Sequence, residues 1–559
     1  MYRYDAHDQR LLEARIAELR DQLRRHRAGE LSADALRPLR LLNGLYIERN
    51  GPMLRVAIPY GLLGSDQLRA LARVTGVYGR GRGHFTTRHN FQIDWLALDD
   101  APEILAELAR VQLHAIQSSG SCIRNISCDP LAGAAPDEDV DPRPWCELLR
   151  QWSAGHPAFA NLPRKLKIAV CGAREDRALV RVHDIGLLAR RDAAGAIGFQ
   201  VLVGGGLGRN PRLAQTLTDC LPWPHLLGYC EAICRVYNRL GRRDDPYKAR
   251  LKALVERLGI DEFRRRVEAE RATIGDALAL TPAKVERVAR HFADKPYRDL
   301  TADDPGHRRE QARNPAYAAW VRHHVQPHRR PGYAIATIAL KAPERAPGDL
   351  DSERMRLIAD WADDHSFGEI RVTQRQNLVL ADVPQSDLPA LWHKIRAAGL
   401  AGSAAGLLAD LVACPGGDYC SLANARSAPL AQAIQARFGD AESLARLGPI
   451  RVNVSGCMNG CAHHAVADIG LRGIDKQGVA HYQIAIGGRQ GTDARFAEVL
   501  GPAIPADRVP AALERLASAY LAYRRDGESF AEAATRLGLP TFRAALSDAA
   551  AAARAPAPA

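Results

Sequence analysis

The pattern of hydrophobic and polar positions predicts alternating helices and strands. Residues 8–29 carry leucine or isoleucine at steps of four, three and four, which places them on one face of an amphipathic helix. Residues 53–59 and 83–95 have the composition and alternation of strands, and a helix is predicted between them at 65–77. This unit has a counterpart at 333–383, and the whole pattern predicts an α+β fold.

The pattern also repeats, which predicts an internal duplication. Lys167–Leu187 aligns with Arg451–Leu471 without a gap, because residue 167 lies 284 positions before 451 and residue 187 lies 284 positions before 471. Two further blocks match in the same order: 199–205 with 482–488, and 87–90 with 374–377. Three matched blocks in one order favour a chain that is built twice.

Other segments complete the expected layout. Residues 144–200 and 449–490 are predicted to form short strands with turns, each followed by a helical pattern. Residues 299–331 are rich in Asp, Arg, His and Pro with little periodicity, which is typical of a linker. The last dozen residues, biased to Ala and Pro, are predicted to be a disordered tail.

Composition favours a large cytoplasmic enzyme. The 559 residues are 47% hydrophobic, enough for several cores, and no apolar run reaches the roughly 18 residues of a membrane span. The charged N-terminus lacks an export signal, and eleven cysteines, an odd number, indicate reduced thiols. The net charge of +12 raises nucleic acid as a partner, but the basic residues form no stripe with interleaved aromatics, so we expect anionic ligands and neither a specific nucleic acid nor a membrane.

Four cysteines in two close pairs carry the strongest chemical signal. Five residues separate Cys414 from Cys420, and three separate Cys457 from Cys461. Four thiolates are the ligand set of a [4Fe–4S] cluster. Structural zinc and disulfides are the alternatives, but zinc sites usually have tighter spacings. Cys122 and Cys128 repeat the five-residue gap without a C-x3-C partner, so a second cluster is disfavoured.

The residues around these cysteines resemble those of the sulfite and nitrite reductases that hold a siroheme beside an iron–sulfur cluster. The family pattern is C-x5-C followed by (S/T)-G-C-x-N-x-C, and residues 455–461 fit it, with Met458 where proline is usual. The resemblance extends over nearly the whole chain and is greatest to the haemoprotein subunit of sulfite reductase. It implies that Cys461 serves twice, as a cluster ligand and as the sulfur axial to the siroheme iron.

The resemblance also implies a domain layout. Two ferredoxin-like halves and two larger α+β domains for siroheme and cluster are expected. The first half, with the N-terminal helix, is placed at 1–125, and the first siroheme domain with the linker at 126–325. The second half is placed at 326–402, and the cluster domain with the tail at 403–559.

Basic and polar residues from several segments are expected at the active site. By resemblance, Arg55, Arg124, Lys165 and Lys167 bind the substrate anion on the open face of the siroheme iron. Alternate residues of a strand share a face, so Lys165 and Lys167 can point to one anion. Siroheme itself is expected to contact the paired loops, through Arg88, Asn90, Gln92, Arg375 and Asn377.

A glycine-rich loop follows the predicted strand 199–203. Its sequence is similar to a dinucleotide-binding G-x-G-x-x-G loop, but Arg209 occupies the position of the third glycine. We expect instead that Gly204 and Gly205 let the backbone pass close to a flat cofactor. Without a nicotinamide or flavin motif, electrons are expected from a separate protein, either ferredoxin or a flavoprotein reductase.

These observations predict an enzyme that reduces sulfite to sulfide with siroheme and a [4Fe–4S] cluster. Reduction of nitrite to ammonia by the same type of site is the alternative. In nitrite-reducing members the position of Lys167 tends to be Asn, so the extra positive charge favours the sulfite dianion. An iron–sulfur electron carrier or a nucleic-acid-binding regulator is a more distant alternative, since neither needs so many dispersed anion-binding residues.

Overall fold

A computed structural model describes residues 1–293, 295–402 and 405–547. The chain divides into two compact units. Unit 1 comprises residues 1–206, 211–338 and 350–398, and unit 2 comprises 207–210, 339–349 and the described residues from 399 onward. The predicted tail at 548–559 lies outside the described residues.

The described residues contain seventeen α-helices. They are α1 (Ala6–Arg27), α2 (Ala33–Leu42), α3 (Ser65–Tyr78), α4 (Ala101–Ala109), α5 (Arg143–Ser153), α6 (Leu226–Leu240), α7 (Leu251–Leu258), α8 (Ile260–Ile274), α9 (Pro282–Ala293), α10 (Pro305–Arg313), α11 (Pro315–His324), α12 (Ser352–His365), α13 (Leu388–Ala397), α14 (Ser427–Arg437), α15 (Ala441–Leu447), α16 (Val509–Tyr523) and α17 (Phe530–Leu546).

The strands form four sheets. They are β1 (Leu45–Glu48), β2 (Gly51–Ala57), β3 (Leu62–Gly64), β4 (Arg82–Phe85), β5 (Asn90–Asp94), β6 (Ser127–Cys128), β7 (Ile168–Cys171), β8 (Ile185–Arg191), β9 (Ile197–Val203), β10 (Gln215–Pro222), β11 (Val325–Pro327), β12 (Tyr333–Ile338), β13 (Asp349–Asp351), β14 (Glu369–Val372), β15 (Leu378–Pro384), β16 (Val412–Ala413), β17 (Val452–Ser455), β18 (Ile469–Lys476), β19 (Val479–Ile486), β20 (Glu498–Val499) and β21 (Ile504–Pro505).

The four sheets form two pairs, and the two sheets of each pair have equivalent strand orders. The order β1-β2-β5-β4-β13 matches β11-β12-β15-β14-β3, and β10-β9-β8-β7-β6 matches β20-β19-β18-β17-β16, with β21 added beside β19. In the second pair, Ile168 faces Ile185 and Val452 faces Ile469, so the predicted offset of 284 holds in the strand register. The predicted duplicated α+β fold is confirmed. We call the sheets β6–β10 and β16–β20, with their loops, the first and second repeats.

The two smaller sheets exchange edge strands. Strand β3 belongs to the first half of the chain but pairs antiparallel with β14 of the second half, with Ile370 opposite Leu63. Strand β13 in turn extends the sheet that contains β4. Helices α3 and α12 follow these exchanged strands, and Arg69 of α3 contacts Asp360 and Asp363 of α12 at 2.6 Å each. The exchange explains why neither small sheet forms from a continuous segment.

The N-terminal helix forms where the pattern predicts it. Asp5 caps α1 by accepting hydrogen bonds from the backbone N–H groups of His7 and Asp8 at 2.8 and 3.0 Å. The predicted apolar stripe is buried: Leu12, Ile16, Leu19 and Leu23 are at most 9% exposed. Strand β2 and helix α3 also lie within two residues of their predicted bounds.

Two predicted segments are different in the structure. The expected linker at 299–331 contains α10, α11 and β11, with each helix capped by an Asp or Asn and opened by proline. The buried side chains of α11 are Tyr317, Trp320 and His324, and the helical spacing is masked in the sequence because one of the three is a histidine. Residues 143–153, where strands were expected, form helix α5.

Candidate active site

The four cluster cysteines follow adjacent parallel strands of unit 2. Cys414 comes directly after β16, and Cys457 comes two residues after β17, with Val412 paired to Asn453. Because carboxyl ends of parallel strands meet at one edge of a sheet, the two cysteine loops are neighbours. Cys414 donates its backbone N–H to Val454 O at 3.1 Å, which fixes the start of the first loop.

The thiols lie within electrostatic reach of one another. Burial and the neighbouring Cys461 together raise the pKa of Cys414 to about 11. Burial also raises the pKa of Cys457, with further contributions from Cys461 and Cys420. Such thiols need a strong positive charge before they ionise, and iron supplies it. The structure therefore brings the four predicted ligands together.

The backbone around Cys414 is arranged for a thiolate. Gly456 donates its N–H to Cys414 Sγ at 3.2 Å, and Ser427 Oγ lies 3.4 Å from the same sulfur. The Gly456 N–H stabilises negative charge on this sulfur, while the Ser427 hydroxyl donates to the carbonyl oxygen of Cys414 at 2.7 Å. A Cβ on Gly416 would lie 2.1 Å from Ser427 Oγ, so glycine is required for the loop to reach this position.

Among the described residues, no three His, Cys, Asp or Glu side chains converge closely enough to hold one metal ion. A [4Fe–4S] cluster binds each of its four thiolates through a different iron, whereas structural zinc holds its ligands on one ion. All eleven cysteines are free thiols, so the four ligand positions are not paired as disulfides.

The first repeat has other residues at the four ligand positions. Cys128 pairs with Val170 as Ala413 pairs with Val454, so Asp129 is the counterpart of Cys414. The turn that follows also matches, because Ala135 N–H bonds to Leu131 O as Cys420 N–H bonds to Gly416 O. The complete set of counterparts is Asp129, Ala135, Ala173 and Arg177. The gap between Cys122 and Cys128 is therefore not equivalent to that between Cys414 and Cys420.

The predicted substrate residues come together in unit 1. Arg55 lies on β2, and Arg124 lies in the loop before β6. Lys165 and Lys167 flank Leu166, which is fully buried and forms a bridge to Ile123. Arg124 N–H bonds to Leu166 O at 2.8 Å, so the two basic segments are directly paired. In this extended segment the lysines lie on the face opposite the buried leucine, as predicted from alternation.

The cations of this cluster lower one another's pKa. Burial, together with the charges of Arg124, Arg250 and Arg55, lowers the pKa of Arg88 to about 9. Burial also lowers the pKa of Lys167 well below its usual value, with Arg88, Arg250 and Lys165 contributing. Asp184 opposes both shifts, but one carboxylate does not balance so many cations. The cluster therefore has a positive surplus that an anionic ligand would neutralise.

The three guanidiniums are held by neutral oxygens. Arg55 donates to Gln92 Oε1 at 3.0 Å, and Arg88 donates to Asn125 O at 2.8 Å. Arg124 donates to Ser118 O and Gly120 O at 2.9 and 2.8 Å. In the described part of the chain, the buried Nε atoms of Arg55 and Arg88 have no hydrogen-bond acceptor. Oriented cations with unused donors fit the carboxylates of siroheme or a bound anion.

The loops that carry Arg88 and Arg375 have the same turn. Thr86 Oγ1 accepts the N–H groups of Arg88 and Asn90 at 3.2 and 3.1 Å. Thr373 Oγ1 does the same for Arg375 and Asn377, also at 3.2 and 3.1 Å. The central residues, His89 and Gln376, both have positive φ. The duplicated turn presents the two arginines in equivalent ways, and their contact with siroheme stays a prediction.

The glycine loop has a packing role. A Cβ on Gly205 would lie 2.4 Å from His183 O and 2.6 Å from Arg181 O. Its counterpart Gly488 would meet Ala467 O at 2.5 Å. Glycine is therefore required by close backbone packing in both repeats, and cofactor contact through Gly204 and Gly205 stays a prediction.

Two charged residues of the cluster escaped the sequence analysis. Arg250, at the start of α7, donates to both carboxylate oxygens of Asp184 at 2.7 Å. Asp184 also accepts the backbone N–H of Lys167 at 2.9 Å, and Asp468 accepts that of Arg451 in the second repeat. The repeated Asp-Ile-Gly-Leu motif could have identified Asp184, whereas no sequence signal marks Arg250.

Comparisons with known proteins agree with the duplicated fold. The model of the nitrite and sulphite reductase 4Fe-4S domain matches residues 119–274 and 405–553. The model of the nitrite/sulfite reductase ferredoxin-like half domain matches residues 46–111 and 329–398. Each model thus matches the chain twice, in agreement with the duplicated sheets.

Relatives and a solved structure cover most of the chain. The chain is 30% identical to "Sulfite reductase [ferredoxin] 2" of Mycolicibacterium paratuberculosis over 87% of this chain and 82% of the relative. It is 31% identical to the chloroplastic ferredoxin–nitrite reductase of Zea mays over 85% of this chain and 80% of the relative. The structure of the Mycobacterium tuberculosis NirA protein matches with a TM-score of 0.76 at 28% identity, and 92% of each chain is covered.

Proposed function

Because the chain belongs to the nitrite and sulphite reductase family, we propose that it catalyses the six-electron reduction of sulfite to sulfide. It is an oxidoreductase with siroheme and a [4Fe–4S] cluster as cofactors. The observation that carries the choice of substrate is the positive surplus around Lys167. Sulfite brings two negative charges to this cluster and nitrite brings one, so the dianion gains more from it.

We assign the cluster to Cys414, Cys420, Cys457 and Cys461. Cys461 is exposed, and we assign it a second role, in which its sulfur would also hold the siroheme iron. When bound, the two groups supply stored electrons and an iron that takes the substrate. The protein contributes the thiolates, the N–H of Gly456 that donates to the Cys414 sulfur, and the backbone turns that hold the thiolates.

The basic residues bind the anion and supply protons. Arg55 and Arg124 are fixed by neutral oxygens, so their positive charge is oriented before the substrate arrives. Lys167 can also transfer a proton, because an amine with a lowered pKa gives up its proton more readily than a guanidinium does, and Lys165 is assigned to binding the anion beside it. Arg88 and Arg375, with Asn90, Gln92 and Asn377, are assigned to the siroheme carboxylates.

The electron donor is proposed to be ferredoxin, as the names of the relatives state for those proteins. Beside the cluster loops of unit 2, Leu422 and Met458 are 68% and 41% exposed. Exposed apolar side chains next to a redox group suit docking of a small electron-transfer protein, and the net charge of +12 suits an acidic one.

The location of the enzyme is a separate question. No helix in the described ranges is long and apolar enough to cross a bilayer. Because the cluster needs reduced thiols, we place the enzyme in the cytoplasm.

The test is a direct comparison of the two anions. Purified enzyme, with reduced ferredoxin as donor, is assayed for sulfide from sulfite and for ammonia from nitrite. A higher kcat/KM for sulfite is expected. A higher kcat/KM for nitrite would replace the proposed substrate by the alternative, and turnover of neither anion would overturn the proposed function.

A further inference from the structure

Tyr46 lies at the cation cluster, although no sequence signal points to it. It lies on β1 and pairs with Met53 of β2, two residues before Arg55. The guanidinium of Arg55 lies over the tyrosine ring, 4.8 Å from its centroid. The same guanidinium donates to the Tyr46 hydroxyl at 3.3 Å. The ring and the hydroxyl are thus both fixed by one of the proposed substrate residues.

A second substrate residue reaches the same hydroxyl. From the loop before β6, Arg124 and Ser119 lie close enough to this hydroxyl to lower its pKa. The Ser119 hydroxyl donates its own hydrogen bond to Leu41 O, which fixes its position. The Tyr46 hydroxyl is therefore close to both Arg55 and Arg124, two of the four residues proposed to bind the anion.

The electrostatics of Tyr46 differ from those of other buried tyrosines. Burial raises the pKa of a phenol, but at Tyr46 the cations Arg55 and Arg124 outweigh burial and lower the pKa. Arg40 also lies within electrostatic reach. At Tyr60, by contrast, burial and the carboxylate of Glu147 raise the pKa. Only Tyr46 is a strengthened acid among the described tyrosines with shifted pKa values.

We propose that Tyr46 is a further catalytic residue, whose hydroxyl binds the substrate anion beside Arg55 and Arg124 and donates a proton to a departing oxygen. The proposal rests on the proposed function. Each oxygen that leaves sulfite as water takes up two protons and two electrons. The electrons come from the donor protein, one proton comes from Tyr46, and the other comes from a lysine of the cluster.

The proton transfer is balanced by the surrounding groups. The phenol O–H bond breaks as the new O–H bond forms on the substrate oxygen. The tyrosinate that remains is stabilised by the two guanidiniums and regains its proton from water. Arginine is too weak an acid for this task, so a phenol adds a donor that the two guanidiniums cannot replace.

The test replaces the hydroxyl and keeps the ring, in the enzyme loaded with its cofactors. Tyr46→Phe is expected to lower kcat by about a hundredfold or more, the typical contribution of a general acid, with a smaller change in KM. Wild-type kcat should fall at alkaline pH as Tyr46 loses its proton, and this limb should shift in the variant, where only the lysines of the cluster remain to lose protons. Tyr78→Phe is the control, because its hydroxyl bonds to Glu107 on the surface at 3.0 Å. Unchanged kcat and an unchanged alkaline limb in Tyr46→Phe would overturn the proposal.

Two further measurements do not depend on that variant's activity. The ultraviolet absorbance of tyrosinate should show one tyrosine that ionises below the ordinary pKa in wild type and in Tyr78→Phe, and none in Tyr46→Phe. Fluorotyrosine at position 46 has a lower pKa and should move the alkaline limb to lower pH. A limb that stays in place would reject Tyr46 as the proton donor. If wild type reduces neither anion, the proposed function fails, while the absorbance titration still reports on Tyr46 itself.

Discussion

Asp129 and Arg177 form an ion pair at 2.9 Å in the first repeat, at the positions that Cys414 and Cys461 have in the second. The side chain of Asp129 is fully buried, and Arg177 also contacts Asp137 at 2.9 Å. Ala135 and Ala173 have the other two ligand positions. One repeat therefore has four thiols at this site, whereas the other has a buried salt bridge at the positions equivalent to two of them.

The buried pair gives a prediction about stability. Arg177→Ala leaves the Asp129 carboxylate without its main partner and should lower the free energy of unfolding by about 3–5 kcal/mol near neutral pH. Burial already raises the pKa of Asp129, and Arg177 opposes that rise. The difference in unfolding free energy between the variant and the wild type should therefore decrease as the pH falls and Asp129 becomes neutral.

The measurement is denaturant unfolding followed at several pH values. Arg174→Ala is the control, because Arg174 is 79% exposed and pairs with Asp139 at 3.4 Å. Its unfolding free energy should change by less than about 0.5 kcal/mol. Equal effects of the two variants would show that the Asp129–Arg177 pair does not stabilise the fold.

Much of this architecture is visible in the sequence because it depends on local periodicity and on a long ungapped match. The burial stripe of α1 and the offset of 284 residues belong to this class. The correspondence of Asp129 with Cys414 has an offset of 285, and it appears only when the strand register is known. Sequence spacing instead suggested Cys122 and Cys128, which keep the gap but lie elsewhere.

The site was predictable where residues share a motif and not where they meet through folding. The four cysteines and the Arg-Lys-x-Lys segment are each compact in sequence. Tyr46 and Arg250 reach the cation cluster from β1 and α7, and a single strand or helix start gives no chemical signal. Helix α11 was missed for a different reason, since one of its three buried side chains is a histidine, which counts as polar in the sequence.

Metal analysis provides the second prediction. Purified enzyme should contain about four iron atoms and four acid-labile sulfides in the cluster, with one further iron in siroheme. A visible spectrum should show the haem-like Soret band of the tetrapyrrole. Bound zinc with acid-labile sulfide near zero would instead support the zinc alternative for the four cysteines.

The double role of Cys461 gives the third prediction. Cys461→Ser should abolish six-electron turnover and change the visible spectrum, because the serine cannot provide the shared thiolate. Cys171→Ser is the matched control, since Cys171 is buried at the position that Ser455 has in the second repeat. Its thiol lies 3.4 Å from Glu175 O, an acceptor that a serine hydroxyl can also use. If Cys461→Ser keeps full activity, the assignment of Cys461 is wrong.

The lowered pKa of Lys167 gives a prediction about pH. In protein prepared without cofactors, the folded state holds fewer protons on Lys167 than the unfolded state does below the ordinary pKa of 10.5. Stability should therefore rise with pH above the folded-state pKa of Lys167 and level off near the unfolded value. Thermal unfolding from about pH 7 to pH 10 measures this slope. Lys167→Met should flatten it, and identical slopes in the two proteins would contradict the assignment of Lys167 to the cation cluster.

The last prediction separates the two substrates. Lys167→Asn removes one positive charge from a cluster proposed to bind a dianion, while the backbone N–H bond to Asp184 can persist. A hydrogen bond to a charged group contributes about 1.5–3 kcal/mol, so kcat/KM for sulfite should fall about ten- to a hundredfold. The loss for nitrite should be smaller, because a single negative charge gains less from the same cation. Arg242→Asn, which removes an exposed charge paired with Asp244, should leave both values unchanged. Equal losses for the two anions, at unchanged cofactor content, would mean that Lys167 does not distinguish them by charge.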